Sequence, residues 1–158
     1  PIKYISESDY ININKRSKVD VGDVLFAMIG TIGNPVVVED EPNYAIKNVA
    51  LFKGNDNQSS NFLKYLLDSK LTKDKMIEDA KGTTQKFVGL GYLRSFPIFI
   101  PSLTKQQAIV SQLDALRTET KKLESSFLEK MTDLDELKKS ILQKAFAGEI
   151  STDRAMTV

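Results

Sequence analysis

Two short polar segments of the sequence carry the residue types that contact nucleic acids. Residues 12–18 hold lysine, arginine and asparagine, and residues 81–86, which follow a predicted helix, hold lysine, threonine and glutamine. Lysine and arginine neutralise phosphates, whereas asparagine, glutamine and arginine can form paired hydrogen bonds with base edges in the major groove. The candidate residues are Asn12, Asn14, Lys15, Arg16, Lys18, Lys81, Thr83, Thr84, Gln85 and Lys86. Residue chemistry alone favours ordinary solvated loops, because both clusters are short.

The composition excludes several classes of catalytic site. The 158 residues include neither cysteine nor histidine, which removes disulfides, thiolate zinc sites, cysteine nucleophiles and imidazole catalysis. Gly30 and Gly33 follow a predicted strand, but they lack the further residues of a phosphate-binding loop or a dinucleotide-binding motif, so we interpret them as a turn between strands. Asp20, Asp23 and residues 39–41 lie in predicted turns, where solvated carboxylates are common. We therefore expect no catalytic residue, no metal and no cofactor.

The overall charge does not indicate a nucleic-acid-binding protein. The chain has 22 basic and 21 acidic residues, a net charge of +1, whereas many such proteins are strongly basic. Any contact with DNA must therefore come from local clusters. No apolar run approaches the ~18 residues of a membrane span, so we expect a cytoplasmic protein. Because the chain opens on Pro1 rather than methionine, we also expect it to be a fragment of a longer protein.

The first hundred residues predict a small, mostly β domain with one packed helix. Residues 1–58 alternate valine-rich apolar runs with turns, which is typical of β-strands. A helix is predicted from Asn61 to Lys81, with Ser59 or Ser60 as its N-cap and a glycine at its end. A further strand is predicted within residues 96–101, where prolines flank three apolar residues.

The last third of the sequence predicts one long helix with a narrow apolar stripe. Thr104 and Gln107 have the spacing of a capping box at its start, and Gly148 follows its end. Between them, seam positions recur at alternating steps of four and three, the heptad period of a coiled coil, with Thr120 and Lys130 as polar interruptions. About 40 residues make a helix roughly 60 Å long, which favours a partner helix over folding back on its own domain. The predicted helix–helix interface comprises Ile109, Leu113, Leu116, Leu123, Phe127, Leu134, Leu137 and Ile141.

Several short motifs occur in a defined order along nearly the whole chain. They are VGDVLF (21–26) with GTIG (30–33), KGTTQK (81–86), IFIPSLTKQQ (98–107) and LDELKKSILQKAFAGEI (134–150). In this order they resemble the specificity subunit of type I restriction–modification systems. Each motif alone is weak, and the last string is the most specific of them.

The resemblance implies a DNA-reading subunit without catalytic chemistry of its own. In that family a target-recognition domain reads one half of a split DNA sequence, and a conserved helix acts as a spacer. A full subunit has two such domains, whose long helices pack antiparallel. Partner subunits, a DNA adenine methyltransferase and a restriction/translocase subunit, carry the catalysis and bind S-adenosylmethionine and ATP.

The chain departs from the family pattern in three ways. It holds one recognition domain and one helix, about half of a full subunit. Its recognition domain is shorter at the front. At the start of the long helix, Ser102 and Lys105 replace the proline and the glutamate that are usual in the family.

We therefore predict an α+β chain that recognises duplex DNA sequence-specifically within a type I complex. It would comprise a target-recognition domain (1–103), a spacer helix (104–150) and a disordered tail (151–158), with a homodimer or a second half-subunit formed through the helix. Gln85 is the best candidate for reading a base. The predicted phosphate contacts are Lys15, Arg16, Lys18, Lys81 and Lys86. The alternative is a non-catalytic coiled-coil adaptor that docks a partner protein without binding DNA.

Overall fold

The structure, a computed structural model, describes residues 4–150, and the chain divides after Gln112 into two compact units. The first unit contains the strands β1 (Val24–Ala27), β2 (Gly33–Val37) and β3 (Val49–Phe52). They form an antiparallel sheet in the order β2-β1-β3. The continuous apolar run of the sequence begins with β1, whose residues alternate between buried and half-buried positions.

The chain combines this sheet with helices, so the predicted α+β fold is confirmed. Within the described residues these helices are α1 (Glu7–Ser17), α2 (Ser60–Asp68), α3 (Lys70–Glu78), α4 (Leu90–Ser95) and the long α5 (Leu103–Phe146). The core of the first unit joins β1 and β3 to α2, α3 and α4, through Val24, Phe26, Ala50, Leu63, Leu67, Met76, Val88 and Leu93. The Phe26 ring is fully buried and meets Phe52 edge-on, with 6.1 Å between ring centroids.

Helix α1 lies where the sequence predicted β-structure, so that part of the prediction is wrong. Ser6 caps the helix, because its Oγ accepts a hydrogen bond from the Asp9 N–H at 3.2 Å. Acidic residues occupy the first turn and Lys15 and Arg16 the last, as the helix dipole favours. None of its residues is buried, and the helix therefore lacks the apolar face by which a sequence pattern reveals a helix.

The helix predicted from Asn61 to Lys81 is two helices, α2 and α3. Ser59 is the N-cap of α2, as predicted, and accepts from the Phe62 N–H at 3.3 Å. Ser69 has extended backbone angles, so α2 ends there. Its hydroxyl then caps α3 by accepting from the Thr72 N–H at 3.3 Å. A single serine thus ends one helix and begins the next.

The predicted strand at residues 96–101 is absent, because these residues are an irregular connection between α4 and α5. The prolines at both of its ends lack an N–H and cannot complete a ladder. The predicted N-cap Thr104 is also wrong, because α5 already begins at Leu103. The carbonyl of Ser102 instead accepts the hydrogen bond from the Gln106 N–H, at 3.0 Å.

The end of α5 is capped by glycine as predicted. Gly148 has φ +74°, which glycine adopts without strain, and its N–H donates to the Ala145 carbonyl at 3.2 Å. The Glu149 N–H donates to the Lys144 carbonyl at 2.9 Å, which completes a Schellman motif. The tail predicted to be disordered, residues 151–158, lies outside the described residues.

Candidate nucleic-acid interface

Residues 81–86 form a tight exposed loop that is closed by its own backbone. Lys81 and Phe87 exchange two main-chain hydrogen bonds, of 3.0 and 2.8 Å. Gly82 has φ +101°, and a Cβ there would lie 2.3 Å from the Gln85 carbonyl oxygen, so only glycine fits. Every residue from 81 to 86 is exposed. The loop therefore presents its hydroxyl and amide groups and the Lys81 ammonium to solvent from a constrained backbone, whereas Lys86 Nζ donates to the Ile77 carbonyl at 3.3 Å.

The same loop is joined to the glycine turn that connects β1 to β2. The Gly30 N–H donates to the Lys86 carbonyl at 3.0 Å, and the Val88 N–H donates to the Met28 carbonyl at 3.0 Å. A Cβ on Gly30 would lie 3.1 Å from Gln85 Nε2, so the glutamine amide packs against the Gly30 backbone at a point where glycine has no side chain. Two motifs that the sequence showed only in succession are therefore neighbours in space.

Residues 12–18 occupy the end of α1. Lys15 Nζ donates to Asn12 Oδ1 at 3.0 Å. Asn14 Oδ1 is shielded from solvent and accepts no hydrogen bond within residues 4–150, so this oxygen is not presented to a base edge. Arg16 is exposed and forms no ion pair among the described residues. The segment therefore offers positive charge more readily than base-reading amides.

Three cations of this segment line a cleft together with two cations from other elements. The cleft has a volume of about 460 Å³ and includes Lys15, Arg16 and Lys18 from the end of α1, Lys53 directly after β3, and Arg94 of α4. Its apolar lining consists of Ile46, Val49, Leu51 and Leu90. Sequence reasoning missed Lys53 and Arg94, because each is an isolated cation in the sequence and only the folded chain brings it to α1.

Asp20 also lines the cleft, and it is paired on both sides. Lys18 Nζ lies 2.5 Å from Asp20 Oδ1, and Lys53 Nζ lies 2.7 Å from Asp20 Oδ2. Hydrogen bonds from Lys18 and then Lys53 lower the pKa of the Asp20 carboxyl below its usual value. Burial lowers the pKa of Lys53, but its hydrogen bonds to Asp20 and Asp23 outweigh that effect and the pKa is raised. Asp20 and Lys53 therefore stay ionised at neutral pH, and the negative charge of Asp20 is compensated by the positive charges of Lys18 and Lys53.

Asp23, from the VGDVLF motif, has a structural role beside the cleft. Its side chain is only 2 % exposed and accepts three hydrogen bonds. The donors are the Asp20 N–H at 2.8 Å, the Gly54 N–H at 2.9 Å and Lys53 Nζ at 2.6 Å. The turn before β1 is thus tied to the residues that follow β3, which positions Lys53 at the rim.

The predicted DNA-contacting residues therefore fall into two groups. One group is the loop 81–86 beside the end of β1, and the other is the end of α1 beside β3 and α4. No hydrogen bond or ion pair described between residues 4 and 150 joins the two groups. None of residues 81–86 lines the cleft.

A residue that sequence reasoning did not select fixes the start of α5. Gln106 is completely buried. Its Oε1 accepts from the Ser59 N–H at 2.8 Å, and its Nε2 donates to the carbonyls of Asn57 at 3.3 Å and Pro101 at 2.8 Å. The first turn of the long helix is therefore bonded to the N-cap of α2. Within a polar stretch the only sequence signal was its membership of the motif IFIPSLTKQQ.

The apolar stripe of α5 is exposed along most of the helix. Leu116, Leu123 and Phe127 are 58 %, 58 % and 57 % exposed, and Leu134 is 64 % exposed. A helix of 44 residues with this heptad stripe fits a coiled coil, as predicted. Residues 4–150 contain no helix that is both long and apolar enough to cross a membrane. They also contain no cluster of three or more metal-ligating side chains.

These features agree with one known family, described as the type I restriction modification DNA specificity domain. The family pattern matches residues 2–144, and the chain belongs to this family. The chain is also similar to the specificity subunit of the type I restriction enzyme EcoBI from Escherichia coli, with 27 % identity over 139 residues. The match covers 87 % of this chain but 29 % of that protein, so the chain spans less than a third of its relative.

Proposed function

We propose that this chain recognises one half of a split duplex DNA sequence, as a target-recognition domain with its spacer helix. The observation that carries the proposal is the exposed loop 81–86, whose backbone is closed between Lys81 and Phe87 and bonded to Gly30. A loop held in this way can present side chains to base edges without a large loss of conformational entropy on binding. Membership of the specificity-domain family supports the same function.

The loop and the end of α1 have different roles in this proposal. Gln85 reads a base, because an amide can pair with adenine in the major groove and this amide is exposed. Thr83, Thr84, Asn12 and the Nδ2 group of Asn14 provide further polar contacts. Phosphates are contacted by Lys15, Arg16, Lys18, Lys81 and Lys86.

Catalysis belongs to partner subunits in this proposal. A DNA adenine methyltransferase subunit and a restriction/translocase subunit would act in the cytoplasm at the site that this chain selects. The chain itself supplies recognition and spacing. It needs no cofactor for either role.

The exposed stripe of α5 is proposed to pair with a second long helix, from another copy of this chain or from a second half-subunit. Antiparallel pairing would place two recognition domains at opposite ends and favour a split target. Leu123→Asn should weaken self-association, whereas Leu128→Asn, an equally apolar and 66 % exposed residue outside the seam, should not. Light scattering across micromolar concentrations measures this, and equal effects of the two variants would contradict the seam.

The proposed function is tested by selection from randomised DNA duplexes, with and without the methyltransferase subunit. We expect enrichment of a split motif. Gln85→Ala should then relax specificity at one position of that motif, whereas Lys86→Gln should weaken binding to all sequences alike. If neither arm enriches any sequence, DNA recognition is refuted, and a coiled-coil adaptor becomes the better explanation.

A further inference from the structure

We propose that the cleft between α1, the end of β3 and α4 seats the sugar–phosphate backbone of the bound duplex, and that Arg94 contacts a phosphate there. The inference rests on the proposed function and assigns a contact to a residue outside both polar segments. Arg94 lies in α4, and the cations of α1 lie more than 75 residues earlier in the chain. The folded unit nevertheless places them around the same cleft of about 460 Å³.

The cleft remains positively charged after the ion pairs within it are taken into account. Its single carboxylate, Asp20, is compensated by Lys18 and Lys53. Within residues 4–150, Lys15 bonds a neutral amide oxygen and forms no ion pair. Arg16 and Arg94 have no ion-pair partner within the described residues. Three cations therefore face the cleft without a carboxylate to neutralise them.

The apolar lining strengthens the effect of these charges. Aliphatic side chains from β3, from residue 46 and from α4 form low-dielectric walls. A cleft with charges of one sign and low-dielectric walls focuses the field and concentrates counter-ions. An arginine fork also matches two oxygens of a phosphate. The cleft is thus suited to an anion with extended polar and apolar parts, such as a deoxyribose–phosphate chain.

The same cleft is poorly suited to base reading, which separates its role from that of the loop 81–86. Asn14 is the only amide that lines it, and its Oδ1 is shielded from solvent in the described structure. Phosphate contacts carry no sequence information of their own. Arg94 should therefore contribute to affinity for every duplex equally.

The test measures duplex binding by fluorescence anisotropy as salt is varied, using the chain together with the methyltransferase subunit. At ~0.1 M salt, Arg94→Gln should weaken binding about tenfold on target and unrelated duplexes alike, and should reduce the log–log salt slope by about 0.9. Arg94→Lys should keep the slope, because it keeps the charge. Lys70→Gln is the matched control, because it removes one exposed cation of the same unit that does not line the cleft.

The possible results distinguish failure of this inference from failure of the proposed function. An unchanged affinity and slope for Arg94→Gln, with the target motif still selected, would overturn this inference and leave the proposed function standing. A wild-type chain that binds no duplex would overturn both. Binding of inorganic phosphate that depends on Arg94, without any effect on duplex affinity, would assign the cleft to another anion and also overturn the inference. Equal urea midpoints for all variants and the wild type exclude a folding defect.

Discussion

Replacing Gln106 with alanine should destabilise the first unit far more than replacing its neighbour Gln107. The Gln106 side chain is completely buried and forms three hydrogen bonds. The Gln107 side chain is exposed and forms none within the described residues. The alanine variant would leave the Ser59 N–H without its acceptor. It would also leave the carbonyls of Asn57 and Pro101 without their donor, and it would open a cavity where the amide was.

The expected cost follows from these contacts. Hydrogen bonds contribute about 1 kcal/mol each, and a buried donor left unpaired costs about 1–3 kcal/mol. Partial access of water to the two carbonyls lowers their share, so the loss should be about 3 kcal/mol in total. With a urea m-value of about 2 kcal/mol/M, the unfolding midpoint should fall by about 1.5 M. Gln106→Glu should be at least as destabilising at neutral pH, because a carboxylate oxygen would then face two carbonyl oxygens.

Tyrosine fluorescence reports this unfolding without interference from the rest of α5. All five tyrosines precede residue 113, and the chain has no tryptophan. Gln107→Ala should keep the wild-type midpoint within about 0.3 M, as is usual for exposed substitutions. Equal midpoints for the Gln106 and Gln107 variants would refute the argument that these bonds fix the start of the helix.

Three further predictions concern the same unit: urea denaturation measures their effects on stability, and fluorescence anisotropy measures the effect on duplex binding. Asp23→Asn should cost about 2 kcal/mol, because it removes the charge that holds a lysine and two N–H groups. Asp20 is only partly buried, so Asp20→Asn should cost less than about 1 kcal/mol. Gly82→Ala should destabilise the loop and weaken duplex binding, whereas Gly91→Ala, with open space around its Cβ, should do neither. Burial and a hydrogen bond to a carboxylate raise the pKa of Tyr92 to about 12, above the ordinary value of 10.0. The folded state therefore holds this proton more tightly, so stability should fall as pH rises from about 10 to 12, and Tyr92→Phe should lessen that fall.

The elements that the sequence predicted correctly are those with strong local signals. The apolar run of β1, the heptad stripe of α5 and the glycine after it each depend on neighbouring residues, and each is present in the structure. The elements that it missed lack such signals. Helix α1 has no buried face. The break at Ser69 depends on one hydroxyl that competes with the helical backbone.

The residues of the candidate site also divide into those that local sequence signals predict and those that they do not. Residues 81–86 were selected because several suitable side chains are consecutive, and a glycine that tolerates φ +101° marks the turn. Lys53, Arg94 and Gln106 were not selected, because the partners that give them a role are distant in sequence. Gln106, for example, bonds Ser59 across 47 residues. Only the folded backbone determines such neighbours.

The arrangement of the first unit separates affinity from specificity in the proposed function. The loop 81–86 offers an exposed glutamine over the bare backbone of Gly30, a position where a side chain can reach a base edge. The cleft offers three cations that have no ion-pair partner within residues 4–150, over an apolar lining and with its one amide oxygen shielded. Because residues 81–86 do not line the cleft, substitutions in the loop can change which sequence is read while the phosphate contacts of the cleft persist. A recognition domain with this division can acquire a new target by changing a few exposed residues, since the sheet that supports the loop is unaffected.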